Sequence, residues 1–180
     1  QSDRIARPLH KFERDFLLTD INNIPKFGDI HKKDNRLKAF EAGWARNPLQ
    51  NPLEIPDAID QEFESLMLTW LRFHKAMLIE EVVKEVLRYL RNNPNWNQII
   101  KFEHILVDEY QDLNRADQMV IDLLAENANL VVVGDRNQSI YSFRYAHPEG
   151  IINFGSEHVR AEILPKLTQS YRCPANIARA

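Results

Sequence analysis

"HILVDEYQDLN", residues 104–114, runs apolar residues straight into two adjacent carboxylates. Its first four residues read as a short buried strand. Asp108 and Glu109 then stand side by side at the strand's end. An ionised carboxylate at such a place needs a counter-charge or water. In an open parallel sheet, ligands bind at the carboxyl ends of the strands. Downstream, Asn114 is suited to cap a helix carrying Ala116, Met119, Val120, Leu123 and Leu124. "ANLVVVGD", residues 128–135, is a second apolar run whose β-branched residues favour a strand. "AEILPKL", residues 161–167, reads as a weaker third strand interrupted by Pro165. Strand, helix and strand, with both strands apolar throughout, predict a parallel sheet buried on both faces. Asp108 and Glu109 at one strand end, and Gly134 and Asp135 at the next, then arrive at the same edge.

Upstream, the rhythm is helical. Leu9, Phe12, Phe16 and Leu17 fall on one helical face, and Pro25 and Gly28 break it. Asp34 or Asn35 is placed to cap a second helix in which Leu37, Phe40 and Trp44 share a face. Three prolines, Pro48, Pro52 and Pro56, mark a loop. Residues 57–93 carry the longest helical pattern, with Ile59, Phe63, Leu66, Met67 and Trp70, then Leu78, Val82, Val86 and Leu90. One helix of that length exceeds the usual globular range, so a break is expected near Phe73 to Lys75. The chain thus divides near residue 100 into a helical part, 1–100, and an α/β part, 101–180.

An Asp–Glu pair alone is more often a solvated turn than a site. With a bound magnesium ion it becomes chemical: one carboxylate holds the ion, and the other orients or deprotonates a water. In "VVVGDRNQSIYSFRYA", residues 131–146, Gln138 offers a neutral amide to a phosphate oxygen. Tyr141, Phe143 and Tyr145 flank Arg144, a pattern that suits base stacking beside a phosphodiester and equally suits aromatics packed into a core. In "LTQSYRCP", residues 167–174, Arg172 reads by itself as a surface residue.

Together, "VDEYQDLN", "VVVGDRNQSIYSFRYA" and "LTQSYRCP", in this order and at these spacings, resemble motifs II, III and IV of the UvrD/Rep-type superfamily 1 DNA helicases. The resemblance is close over residues 101–180 and looser over 57–100. Over 1–56 it is one of position and helical character. It implies a helical accessory subdomain followed by the second half of a RecA-like P-loop NTPase domain. It assigns Asp108 to the magnesium ion of ATP, the Walker B role, and Glu109 to the attacking water. Gln138 would contact the γ-phosphate and couple it to the DNA site. Tyr141 and Phe143 would pack on single-stranded DNA bases, with Arg144 beside them. Arg172 would reach the γ-phosphate, a role worth about a thousandfold in rate in phosphoryl transfer. The implied partners are single-stranded and partly duplex DNA and the remainder of a longer helicase chain. The sequence departs from the family at Arg136 and Asn137, where acidic residues are frequent, at Tyr145, where glycine is usual, and at Ser170, where asparagine is common.

The phosphate-binding loop G-x-x-x-x-G-K-[ST] is absent: none of Gly28, Gly43, Gly134, Gly150 and Gly155 precedes Lys then Ser or Thr. The expectation is therefore a fragment of an ATP-dependent helicase, with little or no ATPase activity of its own and an open sheet edge prone to self-association. Two other readings fit part of the pattern. One is a DNA-binding or scaffolding module that has lost the loop. The other is a metal-dependent nuclease built on Asp108, Glu109 and Asp112, which leaves Gln138 and Arg172 without a purpose.

The net charge of −3 supplies no global attraction to nucleic acid, although a local basic groove is compatible with it. The lone Cys173 and the lack of a leader or membrane-length apolar run suggest a cytoplasmic protein with no membrane partner. No C-x-x-C or H-E-x-x-H spacing marks a metal centre.

Overall fold

The computed structural model describes residues 7–21, 25–46, 53, 57–139, 145–158, 161–167, 169, 171 and 174. Helices α1 (Lys11–Asp20), α2 (Ile30–Arg46), α3 (Ala58–Phe73), α4 (Ile79–Asn92) and α5 (Trp96–Ile99) precede the first strand. Strand β1 (His104–Val107), helix α6 (Arg115–Leu124) and strand β2 (Asn129–Val132) follow, and then the short helices α7 (Glu149–Ile152) and α8 (Phe154–Glu157). The fold is helix-rich α/β with a parallel strand pair, the arrangement of part of a RecA-like domain. Among the described residues no helix is long and apolar enough to cross a membrane.

The expected break in residues 57–93 is present and has a clear backbone cause. α3 starts on a reciprocal cap, with Asp60 N–H donating to Asp57 Oδ1 at 2.7 Å and Asp57 N–H to Asp60 Oδ2 at 3.4 Å. It ends in a Schellman motif: Ala76 N–H donates to Leu71 O at 2.9 Å and Lys75 N–H to Arg72 O at 3.2 Å. Lys75 occupies the left-handed position that glycine usually fills, at φ 51°. The chain then crosses beside the segment before α1, where Leu9 N–H donates to Met77 O and Met77 N–H to Arg7 O.

The apolar core lies among α1 to α3. Leu17, Phe27, Leu37, Phe40, Trp44, Phe63, Met67 and Leu71 are all buried there. The Phe63 ring sits edge-on to Phe27, with centroids 5.5 Å apart, and stacks on Phe40 at 6.1 Å. Such contacts add to simple area burial. Arg14 of α1 reaches α2, donating from Nη2 to Glu41 Oε2 at 3.0 Å and to Asp34 Oδ1 at 3.3 Å.

On α1 the buried residues are Leu17 and Leu18, while Phe12 and Phe16 are exposed. The contact with α2 draws in the neighbouring stripe of α1 instead. α2 starts four residues before Asp34, and Asp29 caps it, accepting from Lys32 N–H at 2.9 Å. Along α3 and α4, Ile59 and Val86 face water, and Leu71 and Leu87 take the buried positions.

The largest correction concerns the strands. β1 and β2 pair in parallel, His104 opposite Asn129 and Val107 opposite Val132, as predicted. They are not buried on both faces: Leu106 is 77% exposed and Val131 41%, while their neighbours are half-buried. A parallel sheet is buried twice only where helices cover both faces. Among the described residues, cover reaches one. Residues 161–167 form no strand, and Ile163, Leu164 and Leu167 are exposed. Pro165 removes a ladder donor there.

α6 starts as predicted on Asn114, whose Oδ1 accepts from Asp117 N–H at 2.9 Å while Asp117 Oδ2 accepts from Asn114 N–H at 3.2 Å. It packs against α4 and α2, so the helical and α/β parts touch along a shared face. Ala116, a predicted apolar position, is buried together with Gln118, and the other predicted positions, Met119, Val120, Leu123 and Leu124, are half-buried.

Candidate functional site

Because β1 and β2 are parallel and in register, their carboxyl ends lie side by side. The ladder continues past the strands: Val133 N–H donates to Val107 O at 2.8 Å and Tyr110 N–H to Val133 O at 3.0 Å. The turn holding Asp108 and Glu109 is thereby laced to the turn holding Gly134 and Asp135. Both acids are exposed, with the buried Tyr110 behind them. Glu109 stands in the left-handed region, at φ 50° and ψ 40°. A non-glycine residue there costs on the order of 1–3 kcal/mol and persists only where its surroundings enforce it. Two bonds act locally: Glu109 N–H donates to Asp108 Oδ1 at 2.9 Å, and the next turn closes from Asp112 N–H to Glu109 O at 2.9 Å.

Glu109 and Gln138 are joined by a chain of hydrogen bonds. Gln111 Nε2 donates to Glu109 Oε2 at 2.7 Å. Gln111 Oε1 accepts from Asp135 N–H at 2.9 Å. Gln138 Nε2 donates to Asp135 Oδ2 at 3.0 Å, and Asn137 N–H to Asp135 Oδ1 at 2.9 Å. The Asn137 amide first, and then Gln138, hold the Asp135 carboxyl below the usual carboxylate range. Burial, the largest cause, pushes the Tyr110 hydroxyl up to about 12, so it stays protonated and neutral behind the acids.

Gln111 and Asp135 thus link the two predicted site residues, and neither was selected as one from the sequence. The sequence does carry a signal for Gln111 in Gly134. A Cβ at Gly134 would overlap Gln111 Oε1 and lie 2.6 Å from Ile151 Cδ1. This is a glycine required by close approach of a side chain, since its own φ is unremarkable. Gln118 has the same relation to Gly150, whose Cβ would overlap its amide. Gln118 is fully buried and donates from Nε2 to His147 O at 2.9 Å.

Of the other predicted site residues, Tyr141, Phe143, Arg144 and Arg172 lie outside the described residues. Tyr145 is described and stands at φ 61°. Glycine adopts such a left-handed backbone without a steric cost. Tyr145 donates from its hydroxyl to Lys38 O of α2 at 3.1 Å, with the Arg46 guanidinium 5.8 Å from its ring centroid.

Asp108 suits a magnesium ion bound with a nucleotide. Its carboxylate is exposed at a strand end, and its described bond is one backbone N–H on Oδ1. Magnesium in such sites takes one or two carboxylates and completes its shell with water and phosphate oxygens. Among the described residues no group of three or more His, Cys, Asp or Glu side chains is arranged to hold a metal alone.

Comparison with known proteins adds an independent line. The UvrD/REP helicase N-terminal domain matches residues 10–159. An ATP-dependent DNA helicase PcrA of Staphylococcus aureus is 37% identical over 175 residues, covering 94% of this chain and 22% of that protein. An ATP-dependent DNA helicase PcrA of Staphylococcus epidermidis is 34% identical over 160 residues, covering 88% of this chain and 20% of that protein. The chain therefore spans about a fifth of the length of these curated relatives. With the family pattern covering most of the chain and the acids set at the parallel strand ends, the chain belongs to the UvrD/REP helicase N-terminal domain family.

Proposed function

We propose that this chain is part of the motor of an ATP-dependent DNA helicase that couples ATP hydrolysis to movement on single-stranded DNA and to duplex unwinding. The observation that carries the reading is the link between two strand ends: Glu109, Gln111, Asp135 and Gln138 form one hydrogen-bonded series across the edge where a nucleotide binds in such sheets. The similar helicases are named as ATP-dependent and as acting on DNA, which supports ATP and DNA as the ligands.

In this reading Asp108 holds the nucleotide's magnesium ion, which when bound neutralises charge developing on the phosphates. Glu109 orients the attacking water and accepts its proton. Gln138 senses the γ-phosphate, and Arg172 stabilises its charge. Tyr141, Phe143 and Arg144 contact single-stranded DNA. Residues 1–100 serve as the helical accessory subdomain and its approach, and 101–180 as the second half of the RecA-like domain. The phosphate-binding loop would come from the rest of a longer, cytoplasmic chain, so the isolated chain hydrolyses little or no ATP.

The test is single-stranded-DNA-stimulated ATP hydrolysis by this chain beside the full-length protein. The expected outcome is activity in the full-length protein alone, lowered by about 100-fold or more by Glu109→Gln. Comparable hydrolysis by the short chain, or an active Glu109→Gln protein, overturns the reading.

A further inference from the structure

We propose that Gln111 is a positioning residue for ATP hydrolysis, holding the Glu109 carboxylate in place and tying it to the loop that carries Gln138. The proposal rests on the reading of Glu109 as the group that acts on the attacking water. Four observations carry it. Gln111 is 1% exposed although polar, and both ends of its side chain are used. Its Nε2 donates to Glu109 Oε2, and its Oε1 accepts from Asp135 N–H. Those two partners fix the amide's orientation, because only the nitrogen can donate to a carboxylate and only the oxygen can accept from a backbone N–H. Ser139 Oγ also donates to Gln111 O at 3.3 Å, so side chain and backbone hold the same loop at both its ends. Finally, Gly134 leaves space for the amide that a Cβ would take.

The mechanical consequence follows from the geometry. Glu109 is exposed, and a flexible carboxylate in water samples many positions. Gln111 restricts it from the buried side and leaves its outer face to water. Asp135 donates its N–H to Gln111 and accepts from Gln138 at its carboxylate. A shift of Gln138 toward or away from a phosphate therefore reaches Glu109 through two shared partners. Glu109 is then held for catalysis in a way that depends on the loop beside it. Small displacements of a reacting group lower rates steeply.

The test uses the full-length protein with Gln111→Met, which keeps volume and removes both bonds, and Gln111→Glu, which keeps the acceptor for Asp135 N–H and loses the donor to Glu109. The expected result for both is a kcat for DNA-stimulated ATP hydrolysis lowered by about 10- to 100-fold, with KM for ATP and affinity for a fluorescent ATP analogue changed by less than about twofold. In the Glu109→Gln background, Gln111→Glu should cause little further loss, because the carboxylate that it positions is gone. A purely structural role predicts KM, nucleotide affinity and melting temperature moving together, with losses that add in the double variant; that result overturns the proposal. If Gln111→Met does not fold, Gln111→Glu decides by the same split. Normal kcat in both Gln111 variants, with Glu109→Gln inactive, overturns the role of Gln111 alone. An active Glu109→Gln protein overturns the reading of Glu109 and this proposal with it.

Discussion

The helical part and the site-bearing part of this chain are held together by different physics. Among α1 to α3, large apolar side chains fill the interior: Trp44, Phe63, Leu37, Met67 and Leu71 are all fully buried. Beyond residue 100, the buried hydrophobic residues among those described are Tyr110 and Ala116, accompanied by two glutamines, Gln111 and Gln118. The strands there leave Leu106, Val131 and Val133 facing water. Apolar burial is non-directional and gives bulk stability. A buried amide is directional: it places particular groups at particular distances, and it is costly when its partners are lost. The helical part thus supplies a stable body, and the α/β part uses its interior to aim loops.

The largest effect expected from breaking this contrast comes from Phe63→Ala. It removes a ring packed on both Phe27 and Phe40 and should cost about 3–5 kcal/mol. Denaturant unfolding followed by tryptophan fluorescence reads it directly, since Trp44, Trp70 and Trp96 all lie in the helical part. A loss under about 1 kcal/mol would show that the ring cluster is not the body's main support. Next is Gln118→Ala, which removes one of the two donors to the His147 carbonyl, Gly150 N–H being the other, leaves a cavity at a fully buried site, and should cost about 1–2 kcal/mol. Amide hydrogen exchange should locate the loosening around residues 145–152. Loosening confined to α4 and α2 would instead make α6 packing the chief role of Gln118.

The smallest effects are expected at the seam between the parts, where Tyr145 meets α2. Tyr145→Phe loses the hydrogen bond to Lys38 O and keeps the left-handed backbone, so it should cost about 1 kcal/mol. Tyr145→Gly loses the bond and the ring contact with Arg46, and it also relieves roughly 1–2 kcal/mol of backbone cost. Its net change should be about zero by calorimetry. A glycine variant less stable than the phenylalanine one would mean that the side chain, and not the backbone, dominates at this position.

Much of this was legible in the sequence, for reasons that differ by element. The break after Phe73 followed from length, with its place marked by the apolar stripe that pauses there and resumes at Leu78. The parallel pairing of β1 with β2 followed from strand, helix and strand. Asn114 was readable as a cap because capping is a local bond between residues three apart. Phe12, Phe16, Ile59 and Val86 were misplaced because a helix with apolar residues on more than one stripe can turn either toward the core, and neighbouring helices choose. The strand faces were misjudged because an apolar strand states a need for cover and does not state who provides it.

The same division holds at the site. Covalent order alone sets the chemical groups and their succession: Asp108 and Glu109 after one strand, Gln138 after the next, and the motif spacing that places the chain in its family. These are local facts, set by covalent order and short-range bonding. Packing in three dimensions sets the rest: Gln111 turns inward, its amide spans from the Glu109 carboxylate to the Asp135 N–H, and Gly134 makes room for it. Gln111 and Asp135 lie twenty-four residues apart, and no pattern of single residue types records which buried amide meets which backbone N–H. That choice is made when two parallel strands pair in register and bring their ends within hydrogen-bonding reach.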